Sequence, residues 1–178
     1  MVGMRTTRVA AVAAAGIATL LLSACSGGQT GGNPETTSAA SSGLAGFDPC
    51  TALSSSELQN LGVSGESKPY NKQGEVGCDY EGDDLLLTVL KAEGRDLAAW
   101  EGRRNNFDSL TKNDVGGRQG LQGIALGGTG QGVCNQFVDA GKDSLDIVVV
   151  LESDRVKDTD PCAKALEVAQ VVEQKLPK

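Results

Sequence analysis

Four cysteines, Cys50, Cys78, Cys134 and Cys162, constrain the fold of this chain more than any other feature. The interval from Cys50 to Cys78 equals that from Cys134 to Cys162, and each joins an expected helix start to an expected strand. An even set in an exported chain reads as disulfides, because an oxidising compartment favours the bond. Four cysteines allow three connectivities. The equal intervals favour Cys50–Cys78 with Cys134–Cys162, and each loop would restrict the unfolded chain by about 3–4 kcal/mol in the chain-entropy picture. A zinc site of four thiolates competes poorly, since no C-x-x-C occurs anywhere in the chain.

The set is even only because a fifth cysteine, Cys25, has a separate fate. Arg5 and Arg8 precede an uncharged run over residues 9–22, which ends in Leu22-Ser23-Ala24-Cys25-Ser26. Basic, then apolar, then small residues is the order of a secretory signal peptide. The run is too short for a spanning helix, which needs about 20 apolar residues. Leu22 is too large for the −3 position of an ordinary signal peptidase, and the closing Cys makes the segment resemble the lipobox of bacterial lipoproteins. That resemblance implies removal of residues 1–24 and a diacylglycerol on the Cys25 sulfur. Acyl chains contribute about 0.8 kcal/mol per buried methylene, so two or three hold a protein at a bilayer. The expected location is the extracytoplasmic face of the cell membrane.

Residues 25–46 then form an expected tether of Gly, Ser, Thr and Ala, with too little apolar surface to fold. Its r.m.s. span is about 25 Å. A single extracytoplasmic domain is expected over residues 47–178.

Charge and composition narrow the functional classes. The chain has a formal net charge of −7, and loss of the signal peptide removes Arg5 and Arg8, so the exported part is more acidic still. Phosphate backbones repel such a domain. Nucleic acid is therefore not an expected partner, and membrane contact is expected through the lipid. The chain has no histidine, which excludes His-dependent triads and His-containing zinc sites. Ser-Lys and paired-carboxylate mechanisms remain open.

Local patterns give the elements. Asp48-Pro49-Cys50 starts a helical turn, with Asp as N-cap and Pro at the first position. Ser54 and Glu57 make a capping box ahead of Leu58 and Leu61, and Gly62 ends the helix. Residues 74–81 and 84–92 read as a hairpin whose second strand is apolar on both faces. Asp96 caps a middle helix carrying Leu97, Trp100 and Phe107 on one side, with Arg103 and Arg104 in its second half. Residues 133–138 and 145–152 read as a second hairpin. Asp160-Pro161-Cys162 opens a helix to about Lys175, with Cys162, Ala165, Leu166, Ala169, Val172 and Leu176 on one stripe. The expected class is α+β: an antiparallel sheet of two hairpins packed by an N-terminal, a middle and a C-terminal helix, with two disulfides.

The motifs Phe47-Asp48-Pro49-Cys50, Cys78-x-Tyr80, a Gly-rich turn before Cys134, and Asp160-Pro161-Cys162-x-x-Ala165 resemble the actinobacterial lipoprotein family called domain of unknown function 3558. The resemblance implies a location and a fold type, and it carries no activity or catalytic residues.

Each candidate site has a plainer alternative. The glycine-rich stretch over residues 116–132 reads first as a surface loop. If it binds, Arg118 and the amides of Gly127, Gly128 and Gly130 are the expected anion ligands. Asp79, Glu81, Asp83 and Asp84 lack the order of a calcium loop and read as a solvated turn. Tyr80 and Trp100 are expected in the core, given only six aromatic residues. The functional expectation is a non-catalytic binding or accessory domain for an envelope protein or small ligand, with no cofactor, metal or catalytic residues. An envelope hydrolase is the alternative and requires two facing acids with raised pKa or a buried Lys beside a Ser. A lipid-handling or structural role would require a large apolar cavity.

Overall fold

The computed structural model describes residues 43–178 apart from Gln73. Cys25, the signal segment and most of the expected tether lie outside the described residues.

The two strands richest in aliphatic side chains lie in the middle of one seven-stranded antiparallel sheet, of order β1-β2-β3-β7-β6-β5-β4. The strands are β1 (Ser67–Lys72), β2 (Glu75–Glu81), β3 (Leu85–Ala92), β4 (Phe107–Val115), β5 (Arg118–Ala125), β6 (Val133–Ala140) and β7 (Asp143–Leu151). β3 and β7 pair with Leu87 opposite Val149 and Val89 opposite Ile147. All four of these side chains have no exposed surface. A strand buried on both faces loses the hydrophobic alternation of a half-exposed one, which is why these two read as unbroken apolar runs.

On one face lies helix α3 (Pro161–Glu173), capped by Asp160, whose side chain accepts from the Cys162 amide at 2.8 Å. Its stripe of Cys162, Ala165, Val168, Ala169 and Val172 is buried against the sheet. The N-terminal segment crosses the same face. A 3-10 turn at Pro49–Thr51 leads to α1 (Ser55–Asn60), which carries the Ser54–Glu57 capping box. Cys50 is bonded to Cys78 on β2, and Cys134 on β6 to Cys162 on α3. The buried Tyr80 hydroxyl donates to the Pro49 carbonyl.

Among the described residues, the other face carries the short helix α2 (Leu97–Glu101) over one corner. Trp100 is its anchor. The indole stacks on Phe137 with centroids 4.3 Å apart, and its N–H donates to Ser144 Oγ at 2.9 Å. A second core of Ala92, Trp100, Leu110, Leu121 and Phe137 forms beneath it.

The α+β class holds, but a sheet of two hairpins is corrected to seven strands. The expected hairpins are β2–β3 and β6–β7; β1, β4 and β5 extend the sheet on both sides. β1 is polar on both sides and so shows no alternation. The glycine-rich stretch is strand over Arg118–Ala125 and turn or loop on either side: β4 and β5 meet in a tight turn at Gly116 and Gly117, with φ of 63° and 99°. Glycines within β5 answer to crowding. A Cβ on Gly120 would come within 2.8 Å of the Asn113 and Gln136 side chains, and one on Gly123 within 3.1 Å of the Phe107 ring. α2 stops at Gly102, and Phe107 opens β4 instead of extending the helix. Leu44 is fully buried, so the domain takes in residues assigned above to the tether.

Both sheet edges are blunted. On β1, Pro69 has no amide to offer and Lys68 and Lys72 flank it. On β4 the Arg104 guanidinium donates twice to the Leu110 carbonyl, at 2.6 and 2.7 Å, and the register slips between Phe107 and Ser109.

Candidate functional site

Four elements end together at one end of the sheet: the β4–β5 turn, the β6–β7 turn, the start of α2 and the C-terminal end of α3. They enclose an open cleft of about 530 Å³ whose lining includes Asp96, Leu97, Gly117, Arg118, Asp139 and Glu173. The local sequence explains each position. Asp96 is the N-cap of α2 and accepts from the Ala99 amide at 2.8 Å. Arg118 opens β5 directly after the glycine turn, and Glu173 closes α3.

Arg118 is committed within the fold. Its Nε donates to Glu173 Oε1 at 3.1 Å, Nη1 to the Asp139 carbonyl at 3.3 Å and Nη2 to the Pro177 carbonyl at 2.6 Å. The Arg118 and Glu173 side chains are only 14% and 16% exposed. Gly116, with φ of +63°, packs against the same carboxylate, and a Cβ there would lie 2.7 Å from Oε2. The guanidinium therefore ties α3 and the C-terminus to the sheet. A smaller cleft of about 290 Å³ shares Leu97, Ala98 and Gln119 and continues along α2 to Leu121. Lys112 and Glu101 pair at its rim at 2.8 Å. Asn113 in its wall exchanges amide hydrogen bonds with the fully buried Gln136, at 2.8 and 3.0 Å.

The structure does not bring Arg118 together with Gly127, Gly128 and Gly130. The length of β5 separates them, about 25 Å at a rise of roughly 3.3 Å per residue. The amides of Gly127 and Thr129 already serve an anion, the chain's own Asp108, at 3.1 and 3.2 Å, with the Thr129 hydroxyl at 2.8 Å. That hydroxyl first, then the amides, holds the Asp108 carboxyl below its usual range. Gly128 and Gly130 line a separate cleft of about 360 Å³ against Val156 and Pro161.

The acids of the first expected hairpin are dispersed among different partners. Asp79 accepts from Thr88 Oγ1 at 2.7 Å, Glu81 pairs with Lys68 at 2.8 Å, Asp83 accepts from Ser64 at 3.2 Å and Asp84 faces Arg155 at 3.4 Å. Among the described residues, no group of three or more acids or cysteines is placed to hold a metal ion. Tyr80 is a core residue, and burial pushes its hydroxyl up to about 12.

One polar group escaped the sequence reading. Asp146 on β7 is 6% exposed, and both its oxygens accept from the Asn135 amide, at 2.9 and 3.1 Å. Burial pushes its pKa up to about 7. Its hydrogen-bonding partner is an amide and not a second acid, and Asp146 lines none of the clefts described above. The available signal was a lone acid between Leu145 and Ile147 in an otherwise aliphatic strand.

No curated protein and no solved structure matches the chain. A family model does, over residues 20–175, and that span includes both disulfides, every strand of the sheet and the cleft residues up to Glu173. The chain belongs to the family described as protein of unknown function (DUF3558).

Proposed function

We propose that the protein is a lipid-anchored lipoprotein of the cell envelope whose domain is a non-catalytic binding or accessory module, with the cleft beside α2 as its binding site. The observation that carries the non-catalytic part is the commitment of the cleft's charges. Arg118 is held by Glu173 and two carbonyls, Asp96 caps a helix, and Asp139 Oδ1 accepts from the Gly141 amide at 3.2 Å. Groups held in this way shape a surface, and none of these four is placed opposite a second as an acid–base pair for turnover. Two disulfides fit an oxidising compartment, and the segment ending at Cys25 supports the anchor.

Asp146 is the observation that favours the hydrolase reading, because a carboxyl near neutrality is suited to proton transfer. The acids that share its face are engaged elsewhere, Glu75 with Arg95 at 3.2 Å and Asp79 with Thr88 at 2.7 Å, whereas the glycosidase pattern requires a facing pair. Two experiments test the proposal. Cys25→Ala should move the protein from the membrane fraction to the soluble fraction, and unchanged attachment would refute the anchor. Incubation of the purified protein with ester, glycoside and peptide substrates should give no turnover. Turnover that is abolished by Asp146→Asn would establish the hydrolase instead.

A further inference from the structure

The chain enters the domain at the same end of the sheet as the cleft. The Leu44 amide donates to Asp143 Oδ2 at 3.0 Å, and the Gly94 amide donates to Oδ1 of the same carboxylate at 2.7 Å. Gly43 has φ of +79°, and a Cβ there would lie 2.8 Å from Asp143 Oδ2. Asp143 opens β7, two residues after the cleft-lining Gly141, and Gly94 lies two residues before the cleft-lining Asp96. The point of entry is thus fixed to the cleft's own turns by one carboxylate, which these amides hold below its usual pKa range.

Charge is distributed along the same axis. The end opposite the cleft exposes Asp83, Asp84, Glu152, Asp154 and Asp158, with Arg155 and Lys157 as the nearby cations. The cleft end mixes Lys72, Lys142 and Lys178 with Glu93 and Asp114. An anionic bilayer therefore repels the far end more strongly than the cleft end.

We propose that the domain hangs from the membrane by its cleft end, so that the cleft opens toward the bilayer and meets its ligand at the headgroup layer. This rests on the anchoring reading given above. From Cys25 to Gly43 the chain reaches at most about 60 Å. A tether limits only its point of attachment, and the bilayer excludes orientations that would drive the free end into it, so averaged over orientations the attached end lies nearer the surface. Asp143 makes the cleft's turns part of that attached end.

Full-length acylated protein in vesicles of phosphatidylcholine and phosphatidylglycerol, with a spin label on the lipid headgroup, tests the orientation. A maleimide dye is placed at Gln119→Cys, on the cleft rim, or at Ser153→Cys, at the far end; both positions are exposed. Quenching at Gln119 should be at least about twofold stronger than at Ser153, since roughly 25–30 Å of strand lies between the two ends. Lys142→Cys and Asp154→Cys repeat the measurement at a second pair of exposed positions. Protein that floats with the vesicles yet shows equal or reversed quenching overturns the orientation alone. Protein that does not float overturns the anchor, and the orientation falls with it.

Discussion

The two faces of the sheet are built on different principles. One is covered by the 13-residue α3, crossed by the N-terminal segment and fastened by both disulfides. The other has a five-residue helix over one corner, held by a single indole, and its remaining surface mixes Leu86, Val148 and Val150 with the polar Thr88, Asn135 and Asp146. The first face gains stability from continuous apolar burial and covalent closure. The second has a short wall, α2, which borders the 530 Å³ and 290 Å³ clefts. The disulfide-fastened helix and the short helix that borders the clefts thus lie on opposite sides of the same strands.

The sharpest way to break this comparison is Trp100→Ala. Loss of the stack on Phe137 and of the bond to Ser144 should cost about 3–5 kcal/mol, measured by urea unfolding, and the thinly covered face should lose protection in amide exchange first. A loss spread evenly over both faces would show that they are one cooperative unit.

Removing the second bridge, by Cys134→Ala with Cys162→Ala, should cost about 3 kcal/mol through the freed unfolded chain. The loss should be read on α3, while fluorescence of Trp100, on the other face, keeps its native maximum. A shifted maximum would mean that the disulfide also sets the α2 side.

Asp146→Asn should act in the opposite direction. In the unfolded chain the carboxyl ionises near 3.8, and in the fold it keeps its proton to about 7. Between those values the unfolded state releases a proton that the folded state retains, so stability falls as pH rises through the window. The variant removes that slope. It should match the parent near pH 3 and exceed it at pH 8 by up to about 4 kcal/mol, the full linkage of that window, measured by denaturant midpoints at both pH values. A parent whose stability is flat from pH 4 to 8 would show that Asp146 is already ionised in the fold.

The smallest effect belongs to a cap on the closed face. Ser54→Ala removes the acceptor for the Glu57 amide and should cost about 1 kcal/mol. No change would mean that Glu57, which also pairs with Lys175 at 2.8 Å, holds α1 without its cap.

What was legible in the sequence was what repeats locally. The aliphatic runs of β3 and β7, the two Asp-Pro-Cys helix starts and the stripe of α3 are all short-range patterns. β1 was not legible, because an exposed edge strand such as Ser67–Lys72 has no buried side to mark. β5 was hidden by its glycines, which read as loop until Gln136 and Phe107 are seen pressing on them. The anion cradle failed for a related reason. Arg118 and Gly127 lie close in sequence, yet an extended strand carries them to opposite ends, and each meets a partner, Glu173 or Asp108, that local sequence does not indicate. Asp146 was missed because its burial depends on strand neighbours that no window of sequence contains.

The blunted edges bear on crowding. Copies confined to a membrane plane collide far more often than copies free in solution, and an open strand edge would then recruit its neighbours into a shared sheet. With a proline facing out on one side and an arginine closing a carbonyl on the other, neighbouring domains have little backbone to exchange. If the proposed anchor holds the protein at a membrane, such edges would let it be dense on that surface without its sheets joining.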